Sequence, residues 1–110
     1  MFDEWGTFHE QLDQAREWYV GAARHLARRY PWDILALQLH IQDGINHIIA
    51  RDICPEDAGY TRAKAEKAWE QIEAAYVASD RIVAEVVEAC ADPGTVVCVV
   101  SDHGALPTFR

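Results

Sequence analysis

The chain has 110 residues, half of them apolar, with 10 Lys and Arg set against 18 Asp and Glu for a formal net charge of -8. That length suits a single domain with a real core, and the acidic balance excludes a phosphate-tracking nucleic-acid surface or an anionic membrane face. An anionic substrate would therefore need local positive charge, for which a metal ion is one source.

The opening Met1-Phe2-Asp3-Glu4-Trp5 has neither the basic region nor the apolar run of a signal peptide. Thr7 and Glu10 form a capping box, and Phe8, Leu12, Ala15, Tyr19, Ala22 and Leu26 recur at helical spacing. This predicts a helix from about Thr7 to Arg29, stopped by Tyr30-Pro31, because a residue before proline is pushed out of the α region. Trp5 and Trp18 are expected to pack on a sheet or a neighbouring element, and His9 and His25 read as solvated helix residues.

From Trp32 the pattern changes. Ile34, Leu35, Leu37, Leu39 and Ile41 predict a mostly buried strand over Asp33–Ile41, followed by Asp43, Gly44 and a short helix to about Arg51. Asp43 and His47 stand one helical turn apart, so a helix places both on one side. Taken alone, an Asp there is ordinarily a cap and the His incidental.

A loop with Pro55 and Gly59 leads to Thr61, the expected cap of a long helix carrying Ala65, Ala68, Trp69, Ile72, Tyr76, Val83, Val86 and Cys90. Its charged face, with Lys64, Lys67, Glu70, Glu73 and Glu85, reads as solvated surface. About 30 residues make roughly 45 Å of helix, and a bend is expected near Ser79-Asp80. Asp92-Pro93-Gly94 reads as a turn.

Next comes Val96-Val97-Cys98-Val99-Val100, which has the composition of a central parallel strand buried on both faces. It ends in Ser101-Asp102-His103-Gly104, where Gly104 lets the backbone turn without a Cβ penalty. Cys54, Cys90 and Cys98 lack CxxC spacing, so neither a disulfide framework nor a thiolate zinc site is expected. They lean towards a reducing, cytoplasmic compartment. No apolar stretch approaches the roughly 20 residues of a membrane span, and there is no repeat, linker or low-complexity tract.

The order helix, strand, short helix, long helix, strand implies an α/β fold, because so long a crossover makes the strands parallel and the connection right-handed. Both strands then deliver their last residues to the carboxyl edge of the sheet, where such folds bind ligands. Asp43, His47, Asp102 and His103 would converge there as a metal-site composition suited to zinc, manganese or iron.

Asp43-x-x-x-His47, the Arg51-Asp52 to Pro55 to Tyr60 segment, the long helix and Val99-Val100-Ser101-Asp102-His103-Gly104 resemble the type I phosphodiesterase and nucleotide pyrophosphatase branch of the alkaline phosphatase superfamily. The resemblance covers about Trp32 to Pro107 and includes the Trp32-Asp33 start of the first strand. It implies a partial three-layer α/β/α domain and two divalent metal ions, usually zinc, flanking a Thr or Ser nucleophile. Asp43 and His47 would ligate one metal and Asp102 and His103 the other, acting on a small phosphate-ester substrate. The strand carrying the nucleophile would lie upstream of Trp32, and a last histidine beyond Arg110. The chain therefore reads as the central part of a longer catalytic domain, inactive alone. Thr95 cannot serve as nucleophile, because seven extended residues put it roughly 23 Å from Asp102. Other hydrolases or phosphomutases of the superfamily, and a non-catalytic α/β domain in which Asp43 and Asp102 cap helices and the histidines are structural, remain open readings.

Overall fold

A computed structural model describes residues 4–106. Met1 to Asp3 and Pro107, which figure in the signal-peptide reading and at the end of the resemblance, lie outside the described residues. Three helices account for the regular structure there: α1 (Trp5–Arg29), α2 (Ile41–Ile49) and α3 (Arg62–Cys90).

Each helix end has a local cause. At α1 the chain enters through Glu4, whose carbonyl accepts from the Phe8 amide at 3.0 Å. Thr7 lies inside the first turn, its hydroxyl 3.5 Å from the Glu4 carboxylate, so the expected capping box does not form the start. The other end behaves as the proline predicts: Tyr30 is extended, and its amide closes on the Leu26 carbonyl. At α3 the Thr61 hydroxyl accepts from the Lys64 amide at 3.3 Å, the N-cap bond expected of that residue. From Arg62 the helix continues without interruption through Ser79-Asp80 to Cys90, about 44 Å at 1.5 Å per residue. The Asp92 turn is also present, with the Asp92 carboxylate accepting from the Gly94 amide and the Thr95 hydroxyl.

The α/β expectation is overturned. Among the described residues there is no strand and no sheet, so neither parallel strands nor three layers are present. A strand is defined by the neighbour it bonds to, and neither predicted segment has one. The Asp33–Ile41 segment runs as irregular chain to His40, and Ile41, its expected last residue, opens α2 instead. Two of its apolar residues, Leu35 and Leu39, are partly covered by the cluster of Val20, Ala23, Ile82 and Val86, while Ile34 and Leu37 stand exposed, and the Tyr19 hydroxyl donates to the Gln38 carbonyl at 3.0 Å. Val96 to Val100 likewise belongs to no sheet and is exposed.

The core divides into two clusters spaced along α3. Ala68, Ile72 and Ala75 meet Ile45 and Ile49 of α2, with Trp5, Phe8, Ile41 and Ile53 packed around them. Further on, Ile82 and Val86 meet Val20 and Ala23 of α1. Alanines at the contacts let the helix backbones approach closely. The start of α1 thus lies by the first half of α3 and its end by the second, so the two helices run in the same direction. Residues 31–40 carry the chain back along them before α2 begins.

Polar contacts join α1 to α3. The Arg16 guanidinium bonds both carboxylate oxygens of Glu85, at 2.8 and 3.1 Å. His9 Nε2 donates to the amide oxygen of buried Gln71 at 2.7 Å, so His9, exposed as expected, also bridges the two helices. Trp18, expected to pack, stands exposed, with an edge-on contact to Tyr19. His25 is exposed, as expected.

Candidate functional site

Asp43 lies in the first turn of α2 and His47 in its last, so the helix alone sets their relation. One turn brings His47 Nε2 to 3.3 Å from Asp43 Oδ1. The carboxylate suits the first turn because it faces the positive end of the helix dipole. Both side chains are open to solvent, His47 more so than Asp43.

Asp102 and His103 are placed by a tight backbone feature. The Ser101 hydroxyl donates to the His103 carbonyl at 2.7 Å, and His103 Nδ1 donates to the Gly104 carbonyl at 2.8 Å. A carbonyl can only accept, so this contact places a hydrogen on Nδ1 and leaves Nε2 as the ligand-capable atom of the neutral ring. Nε2 is 3.8 Å from Asp102 Oδ1. The His103 pKa is raised, first by the Gly104 carbonyl, then by Asp102, with burial opposing and the Asp43 carboxylate adding its own pull. That last contribution puts the start of α2 and the end of the 95–103 segment within each other's field.

The structure therefore brings the four sequence-predicted residues together as two pairs. Among the described residues, no group of three or more His, Cys, Asp or Glu is arranged to hold a metal ion. The donor chemistry, two carboxylate oxygens and two imidazole nitrogens, suits a divalent cation; a closed donor cluster is not formed. The expected route to convergence, two strand ends at one sheet edge, does not exist here. Asp43 owes its position to a helix start and His103 to its backbone contacts.

A feature not singled out from the sequence is a shallow, open patch on the last turns of α1, lined by Gly21, Arg24, His25, Arg28 and Arg29. Its signal is the Arg24-x-x-x-Arg28-Arg29 spacing, which puts the arginines on neighbouring positions of one face. None of the four candidate residues lines it.

A comparison with family models matches residues 2–110 to Type I phosphodiesterase / nucleotide pyrophosphatase. The chain belongs to this family. The phosphodiesterase match takes in α1, so it reaches beyond the Trp32 to Pro107 stretch that carries the resemblance in the sequence. Neither a curated protein nor a solved structure matches the chain. Membership places it among phosphodiesterase and pyrophosphatase-type hydrolases. No helix among the described residues is long and apolar enough to cross a membrane.

Proposed function

We propose that this chain supplies part of the metal-ligand set of a phosphate-ester hydrolase, with Asp43 and His47 holding one divalent cation and Asp102 and His103 another. Zinc is the expected metal, with manganese and iron compatible with the same donors. The reading rests chiefly on His103: a metal-bound histidine characteristically donates its other ring N–H to a carboxylate or backbone carbonyl, and Nδ1 here donates to Gly104. When bound, two such cations would clamp the attacking and leaving oxygens of a displacement at phosphorus.

The residues of the chain contribute charge and orientation. Asp43 and Asp102 each provide an anionic oxygen, and the Gly104 carbonyl holds the His103 ring in the tautomer that presents Nε2. His103 must lose its proton to act as a ligand, and the same carbonyl that orients the ring opposes that loss. A catalytic zinc normally takes three protein ligands, whereas each pair offers two. Further ligands and the nucleophile would come from polypeptide other than these 110 residues.

The chain by itself is therefore expected to bind zinc weakly and to hydrolyse an aryl phosphodiester no faster than D102A/H103A does. Zinc titration calorimetry on the chain, D43A/H47A and D102A/H103A tests the ligand set, with each double variant expected to lose part of the binding. Unchanged affinity in both would overturn it. Steady turnover that disappears in D102A/H103A would show instead that a nucleophile lies within these residues.

A further inference from the structure

Ser101, Asp102, His103 and Gly104 are exposed, so water competes for every polar group among them. Hydrogen bonds nevertheless close within this stretch, from Ser101 Oγ to the His103 carbonyl at 2.7 Å and from His103 Nδ1 to the Gly104 carbonyl at 2.8 Å. The second places the ring proton. The two act on neighbouring peptide units, since the His103 carbonyl belongs to the peptide that leads into Gly104.

That link matters because of what lies between the ring and its acceptor. Each residue has φ and ψ as its soft dihedrals, and the Gly104 oxygen is reached from the His103 Cα through the ψ of His103 and then both angles of Gly104. Glycine, with no Cβ, loses more conformational freedom on ordering than any other residue. Gly104 does not take a positive φ, and open space surrounds the point where its Cβ would lie. Neither a left-handed turn nor steric crowding therefore holds its carbonyl in place.

The Ser101 bond supplies the restraint. It spans Asp102, fixing the peptide plane after His103 and closing the chain around the aspartate. Asp102 Oδ1 and His103 Nε2 come to one side, 3.8 Å apart. We infer that Ser101 is a positioning residue: through the His103 carbonyl it keeps the Gly104 carbonyl within reach of Nδ1, so that the proton of the neutral ring stays there and Nε2 is free for a ligand.

The consequence for a cation rests on the reading of Asp102 and His103 as a ligand pair, whereas the consequence for the tautomer does not. A ring proton held on Nδ1 leaves the acceptor lone pair on Nε2, and groups that orient a ligating histidine carry part of the metal affinity. A single neutral hydrogen bond contributes modestly, so its loss weakens cation binding about three- to tenfold.

Ser101→Ala and Ser101→Thr are compared with the parent chain, each carrying isotope-labelled histidine. Circular dichroism is expected to show the same helix content in all, because Ser101 stands exposed and outside the three helices. In metal-free solution, at a pH where the His103 ring is neutral, its nitrogen chemical shifts report the tautomer. The parent is expected to hold the proton on Nδ1, S101A to give a mixture with the form protonated on Nε2, and S101T, which keeps the hydroxyl, to match the parent. Zinc chloride is then added and its binding followed at His103. S101A is expected to bind roughly three- to tenfold more weakly, and S101T as the parent does. An S101A ring with the tautomer of the parent, or an S101T ring that behaves as S101A does, would overturn the inference. Zinc binding by D102A/H103A equal to that of the parent would overturn the ligand-pair reading instead, and the metal-free tautomer would still decide the role of Ser101.

Discussion

The Ser79 hydroxyl lies buried midway along α3 and has no hydrogen-bond partner among the described residues. A buried polar group left unsatisfied costs about 1 to 3 kcal/mol, and alanine is also the better helix former. Ser79→Ala is therefore expected to raise stability by about 1 kcal/mol, read as a higher urea midpoint with an unchanged slope. Cys54 and Glu56 offer the contrasting case of a satisfied pair. The Cys54 thiol donates to the Glu56 carboxylate at 2.9 Å. That bond lowers the Glu56 pKa from its ordinary 4.5, and with burial it raises the Cys54 pKa from its ordinary 9.0. For a carboxyl with a lowered value, the stabilisation is present above 4.5 and fades as pH falls through the folded-state value. For a thiol with a raised value, it is present below 9.0 and fades as pH rises through the folded-state value. Unfolding midpoints measured across pH are expected to fall on both the acid and the alkaline flank, and Glu56→Gln is expected to flatten the acid one. The Cys54–Glu56 pairing was not singled out in the sequence, and a longer-range one was not legible there at all. The contact between His9 and Gln71 spans 62 residues, so no local pattern announces it.

At the scale of elements, α1 and α3 were visible because a 3.6-residue apolar period is a property of the segment itself, and because Thr61 and Tyr30-Pro31 act locally. The strands were misread for the converse reason. β-branched and aliphatic runs favour an extended backbone, but pairing needs a second segment that composition does not supply. Leu35 and Leu39 instead lie partly buried against the cluster that α1 and α3 form. Of the candidate site, the pairs were legible, since Asp43 with His47 and Asp102 with His103 follow from chain neighbourhood, whereas the sheet edge expected to join them is absent among the described residues. The two-cluster core also makes a claim about the elements. Ile45 and Ile82, each 1% exposed, anchor different clusters. Ile45→Ala and Ile82→Ala are each expected to cost about 2 to 5 kcal/mol in urea unfolding. Hydrogen exchange should separate them, with Ile45→Ala loosening α2 and Ile82→Ala loosening the second half of α3. Equal loss of protection everywhere in both variants would mean that the clusters act as one.

The whole molecule is elongated, with extents of 53, 27 and 20 Å, and α3 sets its long dimension. The parallel course of α1 and α3 follows from the return of residues 31–40 along them, and it also governs how the chain acquires its structure. Helices joined by a short turn meet as soon as both exist, but here α1 is complete at Arg29 and its partner does not begin until Arg62. At synthesis rates of about 5 to 20 residues per second, the apolar stripe of α1 leaves the ribosome seconds before Ile82 and Val86 exist to cover it. Closing a loop of that length precedes any reward from the contacts it makes. For a helical chain, this order gives slow, late docking and a nascent state in which Val20 and Ala23 remain open to chaperones.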